Sequence, residues 1–560
     1  MTGIIKQDRK YVLWGLLAWL GLNIVQAYFL DITPDEAYYF MYAQHLDWGY
    51  FDHPPIVAVL IKMGYTIIPN VLGVRLWFIL LGTVSIYLLW RIVQPKNLTL
   101  FGLIIGATGL IHVAAFQALP DIPLIFFTVV YLFLIQQYLK QPHWKWAIPI
   151  GLTITLLLLS KYHGFLVLIF TIIAYPKFVL KRDFWLIFGV ATICLLPHFF
   201  WQLNHDFPSL NYHLSDRNIK PYTYAYIAQY WLGQPIVLGP LVSFWLLFGA
   251  WKIQTTDTFD KILKTLLWGT LLFFGLSTLR AYVLPHWTAI ALIPLLILGI
   301  RYFEEHLKTY LRTLKIVCWV SIVIISIGRI FAVYDFVPQS LIKHDHLHHW
   351  QTWANQIQEI AQEQPVTFVN SYEAAAKYNF YTQKVGFSLN NVAYRRNQYD
   401  FLQEDLKLLG NRVLFLSDSP VPNCDTLHTV VDKTYYFRWI DNFVSYPRIR
   451  ITSPKKTFIS PSENTALTIP IAVVSPYTIE QLNLNTNYPS TLSYHWYKNG
   501  NLYTEQTTDI KISDIQNSAV EYDFTIQSPQ EKGQYHLKVG VATGWLPPLH
   551  SSDIFKITIE

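Results

Sequence analysis

Long uninterrupted apolar runs alternate with short polar turns over the first three-fifths of the chain, and period-2 alternation takes over near its end. Apolar windows of about membrane length fall around residues 11–30, 72–92, 98–118, 122–139, 146–160, 164–180, 184–203, 226–250, 263–280, 283–300 and 314–334. The pattern predicts about eleven transmembrane helices. After Phe336 the runs stop. Residues 337–452 read as a small α/β region, with helices over His349–Gln362 and near Gln398–Leu409 and strands over Val366–Val369 and Val413–Leu416. From Ser453 to Glu560 short alternating strands and turn residues predict an immunoglobulin-like β-sandwich, with a hairpin over 491–505 turned by Asn499-Gly500. The expected organisation is a transmembrane domain over 1–334, with a functional loop at 31–70, an α/β domain over 335–452 and the sandwich over 453–560.

Composition supports this reading. The 560 residues are 52% hydrophobic and only 14% charged, against about a quarter charged in soluble domains. The net charge of +6 is modest and gives no sign of nucleic acid binding. Cys194, Cys318 and Cys424 form neither a disulfide framework nor a CxxC pair. The first apolar run is long for a signal peptide and lacks an A-x-A cleavage pattern, so it reads as an uncleaved span. Basic residues divide seventeen to six between alternate turns. The positive-inside rule then predicts a multi-pass protein of a cell membrane, a bacterial inner membrane being expected. Its N-terminus is expected in the cytoplasm, with the Thr33–Pro55 loop and everything beyond about 335 outside.

The Thr33–Pro55 loop carries Asp35, Glu36, His45, Asp47, Asp52 and His53 directly after the first apolar run. Carboxylates and imidazoles at a membrane surface are costly unless solvated, paired or used. Thr33, Pro34 and Glu36 fit an N-cap, a first helical position and a capping box, which leaves Asp35 without a capping task. Asp52 and His53 follow in YFDHPP. The other outward turns hold Asp121, Lys161, the 204–222 loop with His205, His213, Arg217 and Lys220, and the LRAYVLPHW turn with Arg280, Tyr282 and His286. Each has a bland reading as a cap or a snorkelling cation. Together they give carboxylates and cations on one face, which suits transfer from a lipid phosphate. The spans themselves carry almost no ionisable residues. A transporter would place charge in mid-span, which disfavours a solute pump; a lipid-linked saccharide flippase or transporter stands as the alternative.

The segments DEAYYFMYAQHLDWGYFDHPP, PDIPLIFF, SKYHGF, YVLPHW, SYEAAAKYNFYTQ and RRNQYD, in that order, resemble glycosyltransferase family 39-like membrane proteins, the relatives of protein O-mannosyltransferases and of the aminoarabinose transferases that modify lipid A. The resemblance covers roughly residues 1–450. It implies a GT-C fold and a polyprenyl-phosphate monosaccharide donor, with direct inverting transfer of the sugar to an acceptor hydroxyl. Asp35 would be the general base. Lys161, Arg217, Lys220, Arg280 and Tyr282 would bind the donor phosphate, and Asp52, with His53, Glu36 and Asp121, would form a second acidic site. The residue after Asp52 is a lysine in the aminoarabinose transferases and His53 here, which moves phosphate binding towards Lys161 and Arg217. No cofactor is assigned. A divalent metal is left open, with Asp52, His205 and His213 as its first candidates. Partners implied are membrane lipids and a glycolipid, polysaccharide or protein acceptor.

Overall fold

The computed structural model describes residues 2–560 apart from 114, 215–221, 339–340, 342–344, 461, 485–488 and 516–521; the side chains of 2–8, 213 and 214 are likewise outside the description. The chain forms two compact units, one of residues 1–209 and 222–348 and one of 210–221 and 349–560.

The first unit is α-helical. Six described helices are long and apolar enough to cross a membrane: Arg9–Phe29, Val71–Val93, Asp121–Lys140, Arg182–Asn204, Pro285–Glu305 and Leu307–Val333. A seventh span results if Ala225–Leu238 and Val242–Lys252, bent by 97° to one another, count together. By length and apolarity six or seven spans are shown; several of the other apolar windows fold as shorter helices, among them Leu98–Ala107, Ala147–Ser160 and Phe165–Ala174. The sharp bend is centred on Gly239, whose φ of +150° suits glycine. Pro285–Glu305 is the axis of the unit, with 83% of its apolar window buried, whereas Leu307–Val333 has 11% buried and leaves an apolar face for lipid.

Close backbone approach sets the corner that carries the functional loop. A Cβ on Gly64 would lie 2.1 Å from the Gly73 carbonyl oxygen, so Ile56–Ile67 can fold back on Val71–Val93 only with glycine there. Asn70 caps the second of these helices by accepting from the Leu72 and Gly73 N–H groups at 2.9 and 3.3 Å.

In the second unit, a five-stranded sheet runs in the order Gly386–Leu389, Val366–Val369, Val413–Ser417, Thr434–Ile440, Asp425–His428. Its first three strands are parallel and the last two antiparallel. The helices Trp350–Ala361 and Tyr372–Thr382 supply apolar faces to its core, including Trp353, Tyr378 and Phe368. The helix expected near 398–409 is instead two short 3-10 turns, Gln398–Asp400 and Gln403–Lys407. Asn397 caps the first of them, and its partner Asp400 is buried.

The sandwich packs a sheet built on Ser490–Lys498, Gly533–Thr543 and Phe555–Ile559 against the pairing of Tyr522–Gln527 with Ala466–Val474. Trp496, Leu537, Phe524 and Ile469 fill its core. Asn499 (φ 52°) and Gly500 (φ 82°) turn the hairpin between Ser490–Lys498 and Asn501–Lys511, as their chemistry predicts. Arg450–Thr452 already pairs with Ala466–Val474, and Val444, Tyr446 and Ile449 share the sandwich core. The sandwich thus begins before residue 453.

Candidate functional site

The site begins with an ion pair that is complete. Glu36, in the first turn of the helix Pro34–Gln44, is fully buried against Arg75 of Val71–Val93. Arg75 Nε and Nη2 donate to its two carboxylate oxygens at 2.8 and 2.6 Å. The remaining arginine N–H groups reach the carbonyls of Ala27, Leu30 and Asp31, each at 2.8 Å. Glu36 also accepts from the Ala118 N–H at 2.8 Å and the Thr33 N–H at 3.0 Å. The capping role expected of Glu36 is present, within a lock joining four stretches of chain. Burial works against the charge, but Arg75 and the two N–H groups outweigh it and hold the carboxyl below its usual 4.5. The adjacent Asp35 is exposed on the same first turn, where the helix dipole favours an anion.

The far end of that helix leads into a loop held by aromatic and amide groups. Tyr42 donates its hydroxyl to Asp52 Oδ1 at 2.5 Å, and its ring stacks on Tyr50 at 4.1 Å. Burial and the neighbouring Asp52 carboxylate push the Tyr42 phenol well above its usual value, so it remains a donor. The Tyr50 N–H donates to the His53 carbonyl at 3.1 Å, and the His53 ring meets Tyr39 edge-on at 5.4 Å.

One face of Arg182–Asn204 and the turn after it fix the loop from the other side. His198 Nδ1 bonds the Trp48 carbonyl at 2.6 Å, Trp201 Nε1 donates to Asp47 Oδ2 at 2.8 Å, and Ser209 Oγ donates to the Tyr50 carbonyl at 2.9 Å. Gln202 donates to Tyr162 and Ser209 at 2.8 and 3.0 Å. A Cβ on Gly49 would lie 2.4 Å from the Trp201 ring, so the loop can reach that ring only with glycine at this position.

A second buried ion pair joins the start of the span Asp121–Lys140 to the end of the shorter helix Ala147–Ser160. Lys161 Nζ donates to both oxygens of Asp121, at 2.8 and 2.9 Å. His286 and His53 also act electrostatically on Asp121, and Asp52 acts on Tyr162, the residue after Lys161. The first two of these interactions put His53 and His286 near the Asp121–Lys161 pair.

The other expected residues fall differently. Arg280 is exposed with no side-chain partner among the described residues, and Tyr282 tilts against Tyr226 at 5.8 Å. Arg217, Lys220 and the His213 side chain lie outside the described residues. His205 bonds the Trp201 carbonyl through Nδ1 at 2.8 Å and stacks on the Trp201 ring at 4.3 Å. Among the described residues, neither Asp52 nor His205 belongs to a group of three metal-ligand side chains. The one such group is Asp335, Asp345 and His348, with ligand atoms within 4.8 Å of one another. There His348 bonds Asp345 Oδ2 at 2.7 Å through Nδ1 and the Phe331 carbonyl at 2.8 Å through Nε2.

Sequence reading passed over Tyr42, Tyr162, His198, Trp201 and Gln202. A signal existed for three of them. His198, Trp201, Gln202 and His205 stand at i, i+3, i+4 and i+7, which is one face of a helix.

Residues 52–201 match the dolichyl-phosphate-mannose-protein mannosyltransferase family. That segment contains Asp52, His53, Asp121, Lys161, His198 and Trp201, but not Asp35, Glu36 or Gln202. Over 296 residues the chain is 26% identical to the lipid A galacturonosyltransferase RgtD of Rhizobium johnstonii (strain DSM 114642 / LMG 32736 / 3841), a match covering 48% of this chain and 60% of that protein. The chain therefore spans about three-fifths of that relative's length. Two structures of ArnT from Cupriavidus metallidurans superpose with a TM-score of 0.57. The apo form is 13% identical, covering 78% of this chain and 98% of ArnT; the form bound to undecaprenyl phosphate is 14% identical, covering 80% and 99%. The chain has the fold of these proteins, a GT-C fold.

Proposed function

We propose that this chain is a membrane glycosyltransferase that moves one sugar from a polyprenyl-phosphate carrier to an acceptor hydroxyl. The observation that carries the reading is an exposed carboxylate, Asp35, beside an immobile anchor, Glu36–Arg75, in the same loop system as the Asp121–Lys161 polar group. The undecaprenyl phosphate in one ArnT structure supports the choice of carrier, and the name of the Rhizobium relative supports a glycolipid such as lipid A as the first acceptor to try.

In this reading Asp35 accepts the proton of the acceptor hydroxyl as its oxygen attacks the anomeric carbon. The new C–O bond forms on the face opposite the phosphate. The old anomeric C–O bond breaks, and its electron pair leaves on the phosphate oxygen of the carrier. The proton then passes from Asp35 to solvent, and the anomeric centre is inverted. Two N–H groups of Lys161 are engaged by Asp121, and the third is available to the departing phosphate. His53 and His286, next to this pair, supply further donors when protonated. Asp52 acts through Tyr42, which it holds against the loop.

The test is purified protein in detergent with a polyprenyl-phosphate sugar and lipid A. Free polyprenyl phosphate and glycosylated acceptor are expected in equal amounts. Movement of the intact lipid-linked sugar across vesicles without its cleavage would overturn transfer and favour a flippase.

A further inference from the structure

A cation sits within a long apolar helix of the first unit. Arg329 belongs to Leu307–Val333, four residues before its end, which puts its backbone about 6 Å from the helix terminus. Its Nη2 donates to Asn23 Oδ1 at 2.8 Å, its Nη1 to His112 Nδ1 at 3.0 Å, and its Nε to Gln26 Oε1. Gln26 returns a bond from Nε2 to the Arg329 carbonyl at 3.3 Å. The rings of Trp19 and Phe116 stand 5.8 and 5.5 Å from the guanidinium carbon. An arginine only donates, so His112 accepts at Nδ1 and carries its proton on Nε2, which donates to the Gly106 carbonyl at 2.8 Å.

Every one of these partners is neutral. Arg75, Lys161 and Arg301 each meet a carboxylate, whereas Arg329 has no acidic partner among the described residues. Its hydrogen bonds use three of its five N–H groups, leaving two donors and a full positive charge. A charge within a span is expensive and marks a functional site by default. Asn23 and Gln26 lie six and three residues before the end of the first helix at Phe29, so the cradle sits near helix ends on both of its sides. At that depth the available anion is a lipid phosphate, and a guanidinium fork suits two phosphate oxygens.

We propose that Asn23, Gln26, His112 and Arg329, walled by Trp19 and Phe116, hold the phosphate of a membrane lipid. The site shares no residue with the Asp121–Lys161 group, and the proposal does not rest on sugar transfer. The phosphate could come from the diester of a bulk phospholipid or from the monoester of a polyprenyl carrier.

Thermal unfolding and native mass spectrometry of the full chain in neutral detergent test this, with phosphatidylglycerol, undecaprenyl phosphate or phosphate-free diacylglycerol added. The phosphate lipids are expected to bind and raise the Tm, and diacylglycerol is not. Arg329→Gln should weaken that binding by about tenfold. Gln26→Glu places a carboxylate beside the guanidinium; it should keep the protein folded and remove the same part of the response. A response to phosphatidylglycerol removed by the variants assigns the site to bulk lipid, and one seen with undecaprenyl phosphate alone and removed by the variants assigns it to the carrier. The proposal is overturned if neither phosphate lipid binds, if diacylglycerol acts equally, or if both variants respond as the unaltered protein does.

Discussion

Two buried acid–base pairs stand at the ends of neighbouring helices, and they are built to different specifications. In Glu36–Arg75 every arginine N–H has an acceptor and the carboxylate takes two further backbone N–H groups. In Asp121–Lys161 the lysine gives two N–H groups to one carboxylate and keeps a third, and histidines stand in electrostatic reach. A saturated pair fixes geometry and has nothing left to offer a substrate. A pair with spare donor capacity beside titratable groups can bind. The difference separates two acids that a sequence motif lists as equals: Glu36 anchors, and Asp35 next to it is held in place by that anchor.

The comparison breaks most visibly on removing half of each pair. Arg75→Met should cost about 3–5 kcal/mol, since it strands a buried carboxylate, measured as loss of folded protein in detergent. The double variant Glu36→Gln/Arg75→Met should recover little of this, because the Ala27, Leu30 and Asp31 carbonyls lose their donors too. For the second pair the double variant should behave oppositely. Asp121→Asn/Lys161→Met should recover most of the stability lost by Lys161→Met alone, yet transfer should stay roughly 100-fold down or lower. Recovery of transfer with stability would make this pair structural as well.

Smaller effects sharpen the picture. Tyr42→Phe leaves Asp52 without its phenolic donor and should cost about 1–3 kcal/mol, read by thermal unfolding. The sign of pH dependence distinguishes two buried acids. The Glu36 carboxyl is held below 4.5, so its stabilisation is complete above that pH and lost as pH falls through the lower folded value. Asp400, in the C-terminal unit, is pushed by burial from 3.8 up to about 7. Its unfolded form sheds a proton first, so stability should decline as pH rises from 4 towards 7. Asp400→Asn should flatten that slope.

Local signals in the sequence correspond to local structure. Pro34 and Glu36 announce a helix start, Asn499-Gly500 announces a hairpin, and apolar runs such as 122–139 announce spans. What sequence could not supply was partnership at a distance. Glu36 and Arg75 are 39 residues apart, and Asp121 and Lys161 are 40 apart. Hydropathy likewise cannot tell a straight span from one bent by 97° at Gly239. Nor did it distinguish the polar cradle of Arg329 from the lipid-facing residues around it in the same helix.

The central claim is that Asp35, held by the Glu36–Arg75 lock, removes the proton from the acceptor. Transfer by purified Asp35→Asn, compared with the unaltered protein at equal Tm, tests it most directly. A fall of about 100-fold to 10,000-fold is expected, with donor binding retained. Transfer at the normal rate by this folded variant would contradict the claim.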